Sequence, residues 1–435
     1  MMQTSLSPGL MMPLKKKIMS KIKRIAMLST HGYFDPVPKL GRTDTGGQVV
    51  YVLELAKALT RAGFQTDIYT RWFDRSQDQV DPVPGLPDVR VIRIPAGPWE
   101  FIPKEFIYDV LPELALNMAA FIRDQNIDYD LYHGHYVDAG IVALDVAKAL
   151  GKPVFFTAHS LGAWKRDQMG GDPEEMEKKF NFRHRIAEET RIFDTVNAQT
   201  LTSIVQREKL KELCDYEADN IVIIPPGVDV HHFYPPREGE EKVDTELPER
   251  YVFCLSRIDT NKGHDLLLHA WDLVRKETAD VDLVIGGGSP NPKPRELGVF
   301  ATMDRIIAEA GMQDRVTRIG YVADEMMRPY YQQAEVFVMP SLFEPFGMTS
   351  QEAMACGTPV VASKFGGIRN TIRNGYNGYL VNPEDPREFA DAILELLRDE
   401  PKRKKIGHNA YKVILEEYSW EAIARRHIEF YNRFM

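Results

Sequence analysis

The chain runs through one pattern twice: a short apolar run, a loop, an amphipathic segment and another apolar run. In the first half KRIAMLST (23–30) and FQTDIYT (64–70) read as strands flanking VVYVLELAKALTRAG (49–63). In that intervening segment Val49, Val52, Leu53, Ala56 and Leu59 fall on one face and Gly63 stops the helix, the pattern of a helix lying on a sheet. VRVIRIP (89–95), DLYHGHY (130–136), PVFFTAH (153–159) and NIVIIPPG (220–227) supply further strands. A Pro- and charge-rich passage, PPREGEEKVDTELPER (235–250), then interrupts the pattern and reads as a linker. Beyond it the strands resume at 251–257, 282–288, 315–322, 336–341, 358–363 and 378–382. Strands that alternate with helical segments form parallel sheets covered on both faces. The expectation is therefore α/β: two doubly wound domains facing a central cleft, spanning 23–235 and 236–417, with an N-terminal tail over 1–22. A C-terminal helix over 418–435 is expected to pack back on the first domain.

A length of 435 residues leaves room for two cores, and 44% hydrophobic with 27% charged residues is ordinary for a globular protein. The formal net charge of −9 argues against a broad nucleic-acid footprint, so a phosphate site here must be local. Cys214, Cys254 and Cys356 show no CxxC spacing or disulfide framework, which suits a reducing cytoplasm. No apolar stretch of about 20 residues predicts membrane insertion. The basic run Lys15, Lys16, Lys17, Lys21, Lys23 and Arg24 reads as a solvated tail, with anionic lipid as the alternative.

In open α/β sheets ligands bind beyond the carboxyl ends of the strands, so the loops there carry the chemistry. The first, HGYFDPVPKLGRTDTGGQ, sets Asp44, Gly46, Gly47 and Gln48 at a helix start, where backbone N–H groups can meet a phosphate or sugar. It lacks the GxGxxG spacing of a dinucleotide site. His133, His135, Asp138 and His159 follow later strands, and their spacing matches no metal site. Lys165, Arg166, Arg183 and Arg185 form a basic group in an acidic protein. Arg183 and Arg185 diverge by about 200° on a helix, so one of the two can reach a given ligand. In the second half Arg257 and Lys262 flank a strand end near Gly263, which suits a diphosphate.

The stretch FEPFGMTSQEAMACGT places Glu344 before a helix and Glu352 inside it. Thr349 and Glu352 have capping-box spacing, so Glu352 has a local duty available, whereas Glu344 has none. Between them lie the N–H groups of a helix N-terminus, an anion site. Carboxylates for hydroxyls at both ends and an anion site in the middle suit a nucleotide sugar.

With EPFGMTSQE, SRIDTNKG, IIPPGVD and DTGGQVVYVLELA in view, the chain from about residue 23 resembles family 4 of the retaining GT-B glycosyltransferases. DTGGQVVYV, FIPKE, HYVDAG, HSLGAWK and FNFRHRIAEE are most similar to the sucrose-phosphate and mannosylfructose-phosphate synthases of that family. The resemblance implies a GT-B fold and transfer of a hexose from GDP-mannose or UDP/ADP-glucose to a phosphosugar such as fructose 6-phosphate. It implies that Glu344 holds the donor sugar, that Glu352 holds the ribose, and that Gly47, Phe346, Gly347, Met348 and Thr349 line the donor. Arg257 and Lys262 neutralise the diphosphate, and His159 stands at the reacting centre. Gly46, Gln48, Asp138, Lys165 and Arg185 match acceptor positions, with Arg183 as the alternative to Arg185. No metal or other cofactor is expected, nor any nucleic-acid partner. Two departures stand out, TVNAQTLTSIVQ after the FNF helix and the Pro-rich GGGSPNPKPREL. The alternatives are another acceptor (a glycosyl phosphoglycerate, a lipid or a polysaccharide) and a noncatalytic nucleotide-sugar sensor.

Overall fold

The computed structural model describes residues 22–37, 46–289, 291–342 and 344–435. The N-terminal tail through residue 21, with its lysines, and Asp44 of the first loop lie outside the described residues.

Eight strands build the first sheet: β1 (Arg24–Leu28), β2 (Gln65–Trp72), β3 (Val80–Val83), β4 (Leu86–Pro95), β5 (Leu131–His135), β6 (Val154–Thr157), β7 (Ala198–Leu201) and β8 (Ile221–Ile223). Their order is β3-β4-β2-β1-β5-β6-β7-β8, parallel throughout except for the β3–β4 pair. Six strands build the second: β9 (Tyr251–Leu255), β10 (Asp282–Gly286), β11 (Val316–Gly320), β12 (Val336–Met339), β13 (Val360–Ser363) and β14 (Tyr379–Val381). It is parallel, in the order β11-β10-β9-β12-β13-β14. Each order reverses once, between β1 and β5 and between β9 and β12, and ligands of doubly wound sheets bind at that reversal.

Away from the edge strands β3 and β11 both faces of each sheet are largely buried, which explains why those strand sequences are near-continuous apolar runs. In β1, Ile25 and Met27 enter one core and Ala26 and Leu28 the other. In β9, Val252 and Cys254 face one core and Phe253 and Leu255 the other. Two strands were not legible as apolar runs. β3 is a short edge strand containing Pro82, a residue tolerated only where no ladder hydrogen bond is needed. β7 reads Ala-Gln-Thr-Leu, and its buried Thr200 spends its polarity on a 2.6 Å hydroxyl pair with Thr157 of β6.

The C-terminal helix runs Trp420–Phe434. Trp420, Ile423, Ala424, Ile428, Phe430 and Tyr431 complete the core that Ile25, Met27 and the helix Gly47–Arg61 begin. The two backbone crossings between the halves lie side by side: Val228 N–H donates to Tyr418 C=O at 2.8 Å. Trp420 packs so closely there that a β-carbon on Gly227 would lie 2.5 Å from its ring. Truncating such an aromatic leaves a cavity that costs about 3–5 kcal/mol. Trp420→Ala is therefore expected to lower the urea midpoint of the first half; an unchanged midpoint would show that the helix adds little to that core.

Candidate active site at the two sheet reversals

On the second sheet the loops after β9 and β12 meet at the reversal. Gly263, at φ +68°, lets them touch, since a β-carbon there would fall 2.4 Å from Pro340 C=O. That contact sets Lys262 against Glu344: Nζ lies 2.6 Å from Oε2, with the lysine buried. The other carboxylate oxygen, Oε1, accepts from Gly347 N–H at 3.3 Å. The two residues expected to share the work on a sugar diphosphate are thus already neighbours, 82 residues apart in sequence.

The helix after this loop runs Met348–Ala355, with Gly347 as its N-cap at φ +77° and no side-chain cap. The capping-box reading of Thr349 and Glu352 is therefore corrected: the helix starts earlier, and Thr349 borders a cavity. That cavity, about 680 Å³, is also lined by Arg257, Asp259, Gly288, Arg295 and Tyr321. Glu352 is not on its wall. Its carboxyl accepts from Tyr331 O–H at 2.9 Å, so in this arrangement it meets a phenol rather than open space. Burial pushes that carboxyl up to about 7, against the opposing effect of the Tyr331 hydrogen bond. Arg257 is exposed at the rim, and the Pro-rich passage supplies Arg295, whose Nη2 lies 2.8 Å from Asp259 Oδ1.

On the first sheet Gly46 caps the helix Gly47–Arg61 without a side chain. Gln48 Nε2 donates to Ser29 Oγ at 3.2 Å and to His135 C=O at 3.1 Å, which ties that helix to the ends of β1 and β5. Asp138, expected near acceptor hydroxyls, has no exposed surface. Its carboxylate accepts from Thr30 Oγ1 and lies 2.9 Å from His31 Nδ1. The imidazole of His31 is edge-on to Tyr136 with ring centroids 4.8 Å apart. Sequence reading missed His31, although its place directly after β1 was a usable signal.

Arg185 and Arg183 separate cleanly. Arg185 is buried, its Nε donating to Glu189 Oε1 at 2.8 Å and its Nη2 to Ser160 Oγ at 2.9 Å, with its Cζ 4.6 Å from the Tyr136 ring centroid. Glu189 also accepts from Gly162 N–H at 2.8 Å, which links Arg185 to the start of the helix that carries Lys165. Lys104, Lys165 and Arg185 border one small cavity together with Tyr136. Arg183 is exposed and borders a different depression with Arg166. Lys104 belongs to the FIPKE segment quoted above but was not picked out as a site residue. Glu105 lies on the same wall, 3.8 Å from the Lys104 ammonium, so the cavity is bordered by three cations and one carboxylate, with Arg185 held in place by Glu189.

His159 and Tyr136, at the ends of β6 and β5, are non-glycine residues at φ +56° and +79°. Strain of this kind costs of order 1–3 kcal/mol and persists where surrounding structure enforces it, often at functional sites. His159 Nε2 lies 3.0 Å from His135 Nδ1, and its carbonyl accepts from Gln206 Nε2 at 2.9 Å. Burial drives its imidazole down to about 3. Across the cleft the two helix starts approach each other: a β-carbon on Gly47 would sit 3.7 Å from Met348 Cε. Among the described residues no three His, Cys, Asp or Glu side chains are grouped to hold a metal ion, and no helix is long and apolar enough to cross a membrane.

Two facing sheets with their reversals turned to one cleft match known proteins over nearly the whole chain. The "Glycosyltransferase Family 4" model matches residues 45–232 and the "Glycosyl transferases group 1" model residues 237–413. Mannosylfructose-phosphate synthase of Agrobacterium fabrum is 35% identical over 93% of this chain and 90% of its own. The chain belongs to the family 4 glycosyltransferases. Another relative, D-inositol 3-phosphate glycosyltransferase of Xylanimonas cellulosilytica, is 32% identical over 94% of this chain and 96% of its own. Among solved structures, sucrose-phosphate synthase from Thermosynechococcus elongatus superposes with a TM-score of 0.74 at 30% identity, over 94% of this chain and 98% of that one. The GT-B fold of this family member is thus shared with a sugar-phosphate synthase.

Proposed function

We propose that this family 4 enzyme moves a hexose, with retention of configuration, from a nucleotide sugar to a phosphosugar. GDP-mannose and UDP/ADP-glucose are the donors the reading favours, with fructose 6-phosphate as acceptor and mannosylfructose-phosphate or sucrose-phosphate as product. The observation that carries it is the convergence of Lys104, Lys165 and Arg185 on one cavity. Glu189 and Glu105 each pair with one of these cations, and the positive charge they leave suits a phosphate dianion better than a neutral acceptor.

In this reading the diphosphate lies across Arg257, Lys262 and the N–H groups opening the helix Met348–Ala355, with the nucleoside in the cavity beside Tyr321. As the glycosidic C–O bond breaks, its electron pair goes to the diphosphate oxygen. The acceptor hydroxyl bonds to the same face of the anomeric carbon and its proton passes to that oxygen. Cations and backbone donors placed where charge grows stabilise the transition state more than the bound donor, which is what lowers the barrier. They supply the neutralisation a metal would otherwise give, so activity is expected to persist in EDTA. Closure of the halves on Gly47 and Met348 would exclude water from the donor.

The relative that acts on D-inositol 3-phosphate gives the second reading substance, because a phosphorylated polyol would use the same three cations. The test is a matrix of UDP-glucose, ADP-glucose, GDP-mannose and a UDP-linked hexosamine against fructose 6-phosphate, inositol 3-phosphate and fructose, following released nucleoside diphosphate and product mass. Turnover with one phosphorylated acceptor, at least about a hundredfold above its unphosphorylated counterpart, is expected from two lost charge-assisted hydrogen bonds. Equal turnover on fructose would overturn the phosphate assignment.

A further inference from the structure

Behind His159 the first half encloses three more imidazoles. His133, His135 and His427 have no exposed surface, so the partner of each nitrogen restricts where its proton can sit. His427 Nδ1 faces Ile423 C=O at 3.0 Å, an acceptor only, and must carry the proton; its Nε2 lies 3.4 Å from Tyr51 O–H. His133 is held at both nitrogens, by Tyr431 O–H at 2.7 Å and Thr157 Oγ1 at 2.8 Å. His135 is different. Its Nδ1 has His159 Nε2 at 3.0 Å, while its Nε2 is enclosed without a partner.

Burial keeps both rings of the His135–His159 pair neutral. One nitrogen of the pair must donate and the other accept. Were His159 the donor, the single proton of neutral His135 would lie on Nε2, giving a buried N–H with nothing to receive it. With His135 as donor, Nε2 is a bare lone pair instead. Enclosed N–H groups without an acceptor are the rarer of the two arrangements in folded proteins, and leaving one costs its desolvation. His159 Nε2 therefore accepts, and the proton of His159 lies on Nδ1. That nitrogen is not among the enclosed atoms and makes no hydrogen bond among the described residues. Tyr51, edge-on to the ring with centroids 4.8 Å apart, fixes its plane.

We propose that His135 is a positioning residue that locks His159 in the Nδ1–H form, so that His159 offers the bound hexose a hydrogen-bond donor and cannot serve as a base. The role in catalysis rests on the transferase reading above; the proton position does not. It also agrees with a reaction in which the departing diphosphate oxygen takes the acceptor proton, since the histidine at the centre has no lone pair turned to the substrate.

The experiment uses the full chain labelled with 15N in its histidines, with His159→Gln identifying the His159 signals in long-range proton–nitrogen correlation spectra. Protonation at Nδ1 in the wild type is expected, and protonation at Nε2 would overturn the proposal. Turnover supplies the second arm. His135→Phe is expected to lower kcat on the order of tenfold, the effect of one hydrogen bond, with donor KM within about threefold. His135→Asn, whose amide N–H reaches the place of Nδ1–H, is expected to recover most of that loss. A folded His135→Phe protein that keeps both the Nδ1–H form and wild-type kcat would overturn the positioning role. If no acceptor in the matrix is used, the wild-type spectrum still decides the proton position, so the two readings fail separately.

Discussion

Lys262→Ala is expected to lower kcat/KM about a thousandfold, roughly 4 kcal/mol of transition-state stabilisation, with most of the loss in kcat. Three features give it that weight. The ammonium is buried, so its field is little screened by water. It is held by Glu344 at 2.6 Å, so little reorganisation is needed when charge develops on the diphosphate. The loop that carries it is packed closely, since a β-carbon on the next residue, Gly263, would fall 2.4 Å from Pro340 C=O. Steady-state kinetics at saturating acceptor, with the unfolding midpoint as control, check the expectation. A variant within tenfold of wild type would show that Arg257 and the helix N-terminus suffice. Lys262→Arg is expected to rescue poorly, because a planar fork does not fit the place of a compact ammonium beside Glu344.

Acid is expected to unfold the first half steeply. Burial holds His133 and His135 well below the ordinary imidazole value, His159 at about 3 and His427 at about 4, and in the second half it holds His264 at about 4. Above pH 6.5 these groups are neutral both folded and unfolded and exert no pull. Below it the unfolded chain takes up protons that the folded chain refuses, and each group removes up to about 1.4 kcal/mol per pH unit until its folded value is reached. Glu352 acts in the opposite sense between its ordinary 4.5 and about 7, where the folded protein holds a proton that the unfolded chain releases. One carboxyl does not offset several imidazoles. Urea midpoints measured from pH 7.5 down to 5 should fall throughout the range below 6.5, with a loss of several kcal/mol by pH 5. A flat profile over that range would mean that the imidazoles are charged in the folded state and that the hydrogen-bond pattern around His135 is wrong.

The sheets were readable because parallel strands buried on both faces write themselves as apolar runs, as in Ile25–Leu28 and Tyr251–Leu255. β7 escaped because its two central residues, Gln199 and Thr200, are polar although fully buried, so only Ala198 and Leu201 write its burial as hydrocarbon. The loops that hold the site could be located at strand ends, yet the pairing inside them could not. Lys262 with Glu344, and His31 with Asp138, join residues whose separation in sequence carries no local period. The resemblance put Asp138 near the acceptor hydroxyls, and only the structure shows that its carboxylate is buried against Thr30 and His31. Arg183 and Arg185 illustrate the converse case, where helical geometry already said that one of the two would face away, and burial says which.

The side-by-side crossings at Val228 and Tyr418 carry a consequence for how the molecule is made. The second half is topologically an insertion into the first, and one wall of the first core consists of Trp420–Phe434. During synthesis the faces of Ile25, Met27 and Leu53 must wait, uncovered, while everything between the two crossings is added. The half that is begun first is therefore finished last, and a chaperone binding that waiting surface would act on the first lobe while the second is already folded.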